Sequence, residues 1–85
     1  MPKSVFTDAY VSVTELLREL RLQRGMTQVE LAQRLGKPQQ FVSKFERGDR
    51  RLDVVEFYAV VRAVGADPHQ AFAALLARLP ENVEI

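Results

Sequence analysis

Residues 25–48 read GMTQVELAQRLGKPQQFVSKFERG, two short helical patterns with a glycine at each end and another between them. Thr27 is a natural N-cap, and Glu30, three residues on, completes a capping box. Leu31, Ala32 and Leu35 then recur at helical spacing until Gly36 stops the helix. A second helix is expected to begin near Pro38, placed at its first helical position, where a missing N–H costs nothing. It gathers Phe41, Val42 and Phe45 and ends at Gly48. Little more than Gly36 and Lys37 separates the two, so they must cross steeply. Ala32 has to be small because the later helix passes close over it, and glycine suits the reversal at position 36.

Outward from this pair the chain stays helical. Val13, Leu16, Leu17 and Leu20 follow the i, i+3, i+4, i+7 pattern, with a start at Thr7 or Asp8 and a stop at Gly25. Asp53 caps a fourth helix through Val64, with Glu56 at its third position. Val54, Val55, Phe57, Tyr58, Val60, Val61 and Val64 make it apolar nearly all round, the pattern of a buried central helix. Asp67-Pro68 opens a fifth carrying Phe72, Leu75, Leu76 and Leu79, closed by Pro80. The expected class is all-α, five helices in one domain over 1–85, with its core within 13–79.

Composition narrows the function. The chain has no cysteine and a single histidine, His69, so thiolate metal sites and the usual nucleophile and acid–base arrangements have no material. No metal, no cofactor and no enzymatic activity are expected. No apolar run nears the roughly 18 residues of a membrane span, and the opening MPKSVFTDAY has no signal-peptide core. A cytoplasmic protein is expected. The formal net charge is +1, but it is unevenly distributed. Between residues 18 and 51, nine cations face four carboxylates, a net of +5, whereas residues 1–17 carry −1 and 52–85 carry −3.

Gln28, Ala32, Gly36, Val42 and Phe45 fall at the spacing of a helix-turn-helix over residues 27–46. With these residues in place, the stretch from Leu16 to Val64 resembles the lambda-repressor/Cro-like, or XRE, family of bacterial and phage regulators. The resemblance implies a five-helix domain that binds double-stranded DNA, its third helix entering the major groove. Carried onto this sequence, it makes Gln39, Gln40, Ser43 and Lys44 the base readers. Gln28 matches a position that holds a backbone phosphate, and Lys37, Arg47, Arg50 and Arg51 are expected at further phosphates. Pro38 departs from the polar residue common there and offers a base only an apolar contact. Phe41 adjoins the reading face, packed either inward or against the sugar–phosphate backbone. The resemblance also implies a structural ion pair between Arg21 and Glu46.

The remaining charges have blander readings. Arg18 and Arg24 are expected in solvent, Gln33 and Arg34 are balanced between solvent and phosphate, and Glu15 and Glu19 are surface charges. Val55, Val60, Phe72, Leu76 and Leu79 are expected to form a homodimer face within residues 53–85, with Val5 and Phe6 of the N-terminal segment as an alternative cover for it. The function expected is a bacterial or phage-encoded, nucleoid-associated transcriptional regulator, a repressor that binds an inverted-repeat operator as a homodimer. An antitoxin with a toxin partner, or an interaction module that keeps only the fold, is the alternative.

Overall fold

The computed structural model describes residues 7–85, and within them five α-helices and no strand. Helix α1 (Asp8–Gln23) starts where the Thr7 hydroxyl accepts the Tyr10 N–H at 3.2 Å. Helix α2 (Gln28–Leu35) opens on the expected capping box: the Thr27 hydroxyl accepts the Glu30 N–H at 3.0 Å, and the Glu30 carboxylate accepts the Thr27 N–H at 2.9 Å. Helix α3 spans Gln39–Arg47. Helix α4 (Val54–Ala63) repeats the capping box with Asp53 and Glu56. In α5 (Pro68–Arg78), the Asp67 carboxylate accepts the His69 N–H at 2.9 Å. The N-terminal segment with Val5 and Phe6, named above as an alternative cover, lies outside the described residues.

Helices α1 to α4 end alike. In each, the residue after a glycine donates its N–H to the carbonyl five residues back: Met26 to Arg21, Lys37 to Ala32, Asp49 to Lys44 and Ala66 to Val61. These are the longer bonds of a Schellman turn, and they leave the glycine in the left-handed region. Gly36 (φ 66°) and Gly48 (φ 99°) bend the chain into and out of α3 in this way. A β-carbon at either position would be strained.

The core forms where the helices meet. Leu17 of α1, Leu31 of α2, Val42 and Phe45 of α3, and Val60 and Val61 of α4 are fully buried, with Val64, Ala32 and Ala71 packed around them. Helix α4 lies against α2, α5 and α1.

Three expectations are corrected here. Pro38 is the N-cap of α3 and not its first helical residue; its ψ of 158° is extended, and no side chain caps the helix. Helix α4 is not buried all round, because Val54, Val55 and Tyr58 are 83%, 74% and 52% exposed. A domain this small has too few helices to surround one of its own. Val60 does not share an open surface with Val55, because it lies in the core at 1% exposure.

Candidate nucleic-acid interface

Helix α3 is divided lengthwise. At about 100° per residue, Gln39, Gln40, Ser43 and Lys44 share an arc of about 140°, while Val42 and Phe45 occupy the opposite side. Gln39, Gln40 and Lys44 are exposed. Ser43 is half-buried, and its hydroxyl donates to the Gln40 carbonyl at 3.3 Å. The four residues expected to read bases therefore lie on one outward surface, fixed there by the two buried residues beneath them.

Glu46, on the last turn of the same helix, pairs with Arg21 of α1. Arg21 Nε donates to Glu46 Oε2 at 2.7 Å and Nη2 to Oε1 at 3.0 Å, with side chains 8% and 4% exposed. The third nitrogen of the guanidinium, Nη1, donates to the Met26 carbonyl at 2.8 Å. A single fork thus ties α1 to the end of α3 and to the turn before α2. Gln28 joins it: its Nε2 donates to Glu46 Oε1 at 3.0 Å. This bond holds the carboxamide at the N-terminus of α2, where helix N–H groups and the dipole favour an anion.

The basic middle resolves into separate uses. Arg24 is exposed as expected but not free: its Nη1 donates to the carbonyls of Gly65 (2.7 Å) and Val64 (3.3 Å). Arg34 Nη1 donates to the Ala63 carbonyl at 3.1 Å. Both cations therefore sit at the C-terminal end of α4, where free carbonyls and the dipole attract positive charge. Their long sequence separation from α4 left no local signal for this. Arg78 makes a fork of two 2.9 Å bonds with Glu19, joining α5 to α1 and holding the Glu19 carboxyl below its usual range.

Around α3, Arg47 pairs with Asp49 at 2.9 Å, both well exposed. Arg50 Nη2 donates to Glu56 Oε2 at 2.8 Å. That bond raises the Arg50 guanidinium and, together with the Asp53 N–H, lowers the Glu56 carboxyl. Arg51 lies over the Tyr10 ring, its guanidinium carbon 4.7 Å from the centroid. The Tyr10 hydroxyl accepts the Leu52 N–H, and burial pushes that phenol up. Among the described residues, Lys37, Lys44 and Arg51 pair with no carboxylate. They lie before, on and after α3.

On α4 and α5, Val55, Phe72 and Leu76 of the expected dimer face are exposed and Leu79 is half-buried. Val54 and Tyr58, not among the residues expected there, are exposed as well. Val54 and Phe72 line one apolar hollow, with Leu75 and Phe57 at its floor, and Tyr58 and Phe72 line the next. No helix of the described residues is long and apolar enough to cross a membrane.

Two crossed helices joined by a glycine turn, with a polar outer face on the second, define a helix-turn-helix protein. The comparisons agree. A helix-turn-helix family model matches residues 17–70. An XRE-family-like protein from Pseudomonas syringae pv. tomato strain DC3000 is 48% identical, superposes with a TM-score of 0.79, and the match covers 86% of this chain and 89% of that one. The HTH-type transcriptional regulator y4dJ of Sinorhizobium fredii (strain NBRC 101917 / NGR234) is 41% identical over 46 residues, which span 54% of this chain and 60% of that relative. The restriction-modification controller protein C.Esp1396I, solved as a tetramer with its natural 35 base-pair operator, shares the fold at a TM-score of 0.78 and 22% identity, over 85% of this chain and 95% of that one. The chain belongs to the XRE family of helix-turn-helix transcriptional regulators.

Proposed function

We propose that this protein is a repressor acting in the bacterial cytoplasm, binding an inverted-repeat operator as a homodimer with α3 of each copy in the major groove. The observation that carries the reading is the division of α3, with two glutamines, a serine and a lysine outward over a rigid apolar base. Gln39 and Gln40 carry amides that can pair bidentately with adenine, and Lys44 can donate to guanine. Gln28, Lys37, Arg47 and Arg51 take the phosphates on either side. The Arg47–Asp49 pair is no obstacle, since an exposed pair is weak and exchanges readily. The bare apolar face of α4 and α5 supplies the two-fold contact. Blocking polymerase at a promoter is the simplest action of such a dimer.

Two sets of variants test this reading. Gln39→Ala and Gln40→Ala should each relax discrimination at one base pair by about 1–3 kcal/mol, whereas Arg51→Ala should weaken all sequences alike and lower the salt slope by about one. Binding titrations against single-base operator variants distinguish the two, and a uniform loss from the glutamine changes would contradict base reading. Leu76→Glu places a charge on the apolar face at a position already 55% exposed, so the fold should survive. Sedimentation should show this variant as a monomer where the parent is a dimer; a parent that is itself monomeric at operator-saturating concentrations would contradict the two-fold reading.

A further inference from the structure

Arg50 was expected at a phosphate, yet its side chain is committed within the molecule. Besides the bond to Glu56, Nη1 donates to the Arg51 carbonyl at 3.1 Å, and the guanidinium carbon lies 4.7 Å from the centroid of the Phe41 ring. Such a cation over an aromatic face is attracted by the ring quadrupole. The same ring has Lys37 Nζ at 5.7 Å and meets Phe45 edge to face at 5.7 Å. Phe41 is half-buried and lines a small hollow with Leu35, Glu56, Ala59 and Val60.

The position of Phe41 matters because α3 is capped differently from its neighbours. Thr7, Thr27, Asp53 and Asp67 cap the other four helices through their side chains, and Pro38 supplies no such bond to α3. The first turn of α3, which carries Gln39 and Gln40, is therefore held by the buried Val42 and, on the side toward Arg50, by what Phe41 packs against. Glu56 is a firm support for that packing: its Oε1 accepts the Asp53 N–H at 2.9 Å, leaving Oε2 for Arg50.

We propose that Arg50 is a positioning residue for base reading. Backed by Glu56, it clamps Phe41 and so sets the direction of Gln39 and Gln40, and it neutralises no phosphate. This inference rests on the reading of α3 as the base-reading helix. Arg47 serves as the contrast, since its partner Asp49 is two residues away and both side chains are more than half exposed.

The test uses R50M/E56Q, which removes the ion pair at no cost in net charge. Methionine still covers the ring, and glutamine still serves the capping box. Binding is titrated over a range of salt concentrations against random duplex DNA and against a site selected by the parent protein. The variant should keep the parent's salt slope on random DNA and lose about tenfold of its preference for the selected site. R51A should instead lower the slope by about 0.9. A slope lowered by about 0.9 in R50M/E56Q, with preference intact, would make Arg50 a phosphate ligand and overturn the proposal. A second measurement needs no DNA: R50M and F41L should shift Tm non-additively, whereas R51A and F41L should add. Additive R50M and F41L shifts would also overturn it. Failure of the underlying reading would appear in the parent protein, as an absence of salt-dependent binding, and not in the variants alone.

Discussion

Arg21→Ala is expected to cost about 3–5 kcal/mol of unfolding free energy, because it removes one partner of a pair that is shielded from water and leaves the Glu46 carboxylate desolvated with only the Gln28 amide beside it. For a domain of this size each kcal/mol moves the midpoint by about 4–8 °C, so Tm should fall by roughly 12 °C or more. Three attachments go together: the fork to Glu46, the bond to the Met26 carbonyl, and the support that Glu46 gives Gln28. Arg21→Lys should recover only part of the loss, since an ammonium keeps the charge but cannot reproduce the planar fork. Thermal melting of the free protein decides the matter. Unchanged melting together with lost DNA binding would make Arg21 a contact and contradict its structural role.

Phe45→Ala should destabilise by a similar amount, about 3–5 kcal/mol. The ring is fully buried among residues of α1, α2 and α4, so truncation opens a cavity at the junction that seats α3. Leu22, on α1, is 54% exposed, and Leu22→Ala should cost no more than about 0.5 kcal/mol. Denaturant unfolding compares the two directly. Equal losses would mean that the core is not where the burial pattern places it.

The sequence and the structure agree where the determinants are local. The capping boxes at Thr27–Glu30 and Asp53–Glu56, and the glycines that stop the helices, depend on residues three to six apart and could be read directly. The two sides of α3 were equally legible, since a helix of nine residues with Val42 and Phe45 buried has only one way to present Gln39 and Lys44. The Arg21–Glu46 pair came from family resemblance, since 25 residues separate its members and no spacing rule joins them.

The misreadings have physical causes as well. An apolar helix looks the same in sequence whether neighbours cover it fully or on one side, so the pattern of α4 implies more burial than the structure has. Val55 and Val60 look alike in sequence, and only the packing of α2, α5 and α1 around α4 buries Val60 and leaves Val55 open. Arg24, Arg34 and Arg50 all raised the basic total of the middle segment. Two of them serve the carbonyl end of α4 and the third is bound to Glu56. Where a long cationic side chain ends depends on the path of distant backbone, which charge counting does not contain. The face proposed to meet DNA carries fewer unpaired cations than the sequence total implies.

The most direct measurement is selection of bound sequences from a random duplex pool, with the protein at a concentration where it is dimeric. The expected result is enrichment of an inverted repeat with half-site centres about one helical turn apart, 10–10.5 base pairs or a multiple of it. Within each half-site, Gln39→Ala or Gln40→Ala should relax the preference at one base pair. A pool without enrichment, or an enriched site unaffected by either glutamine change, would contradict the assignment of α3 as the reading helix.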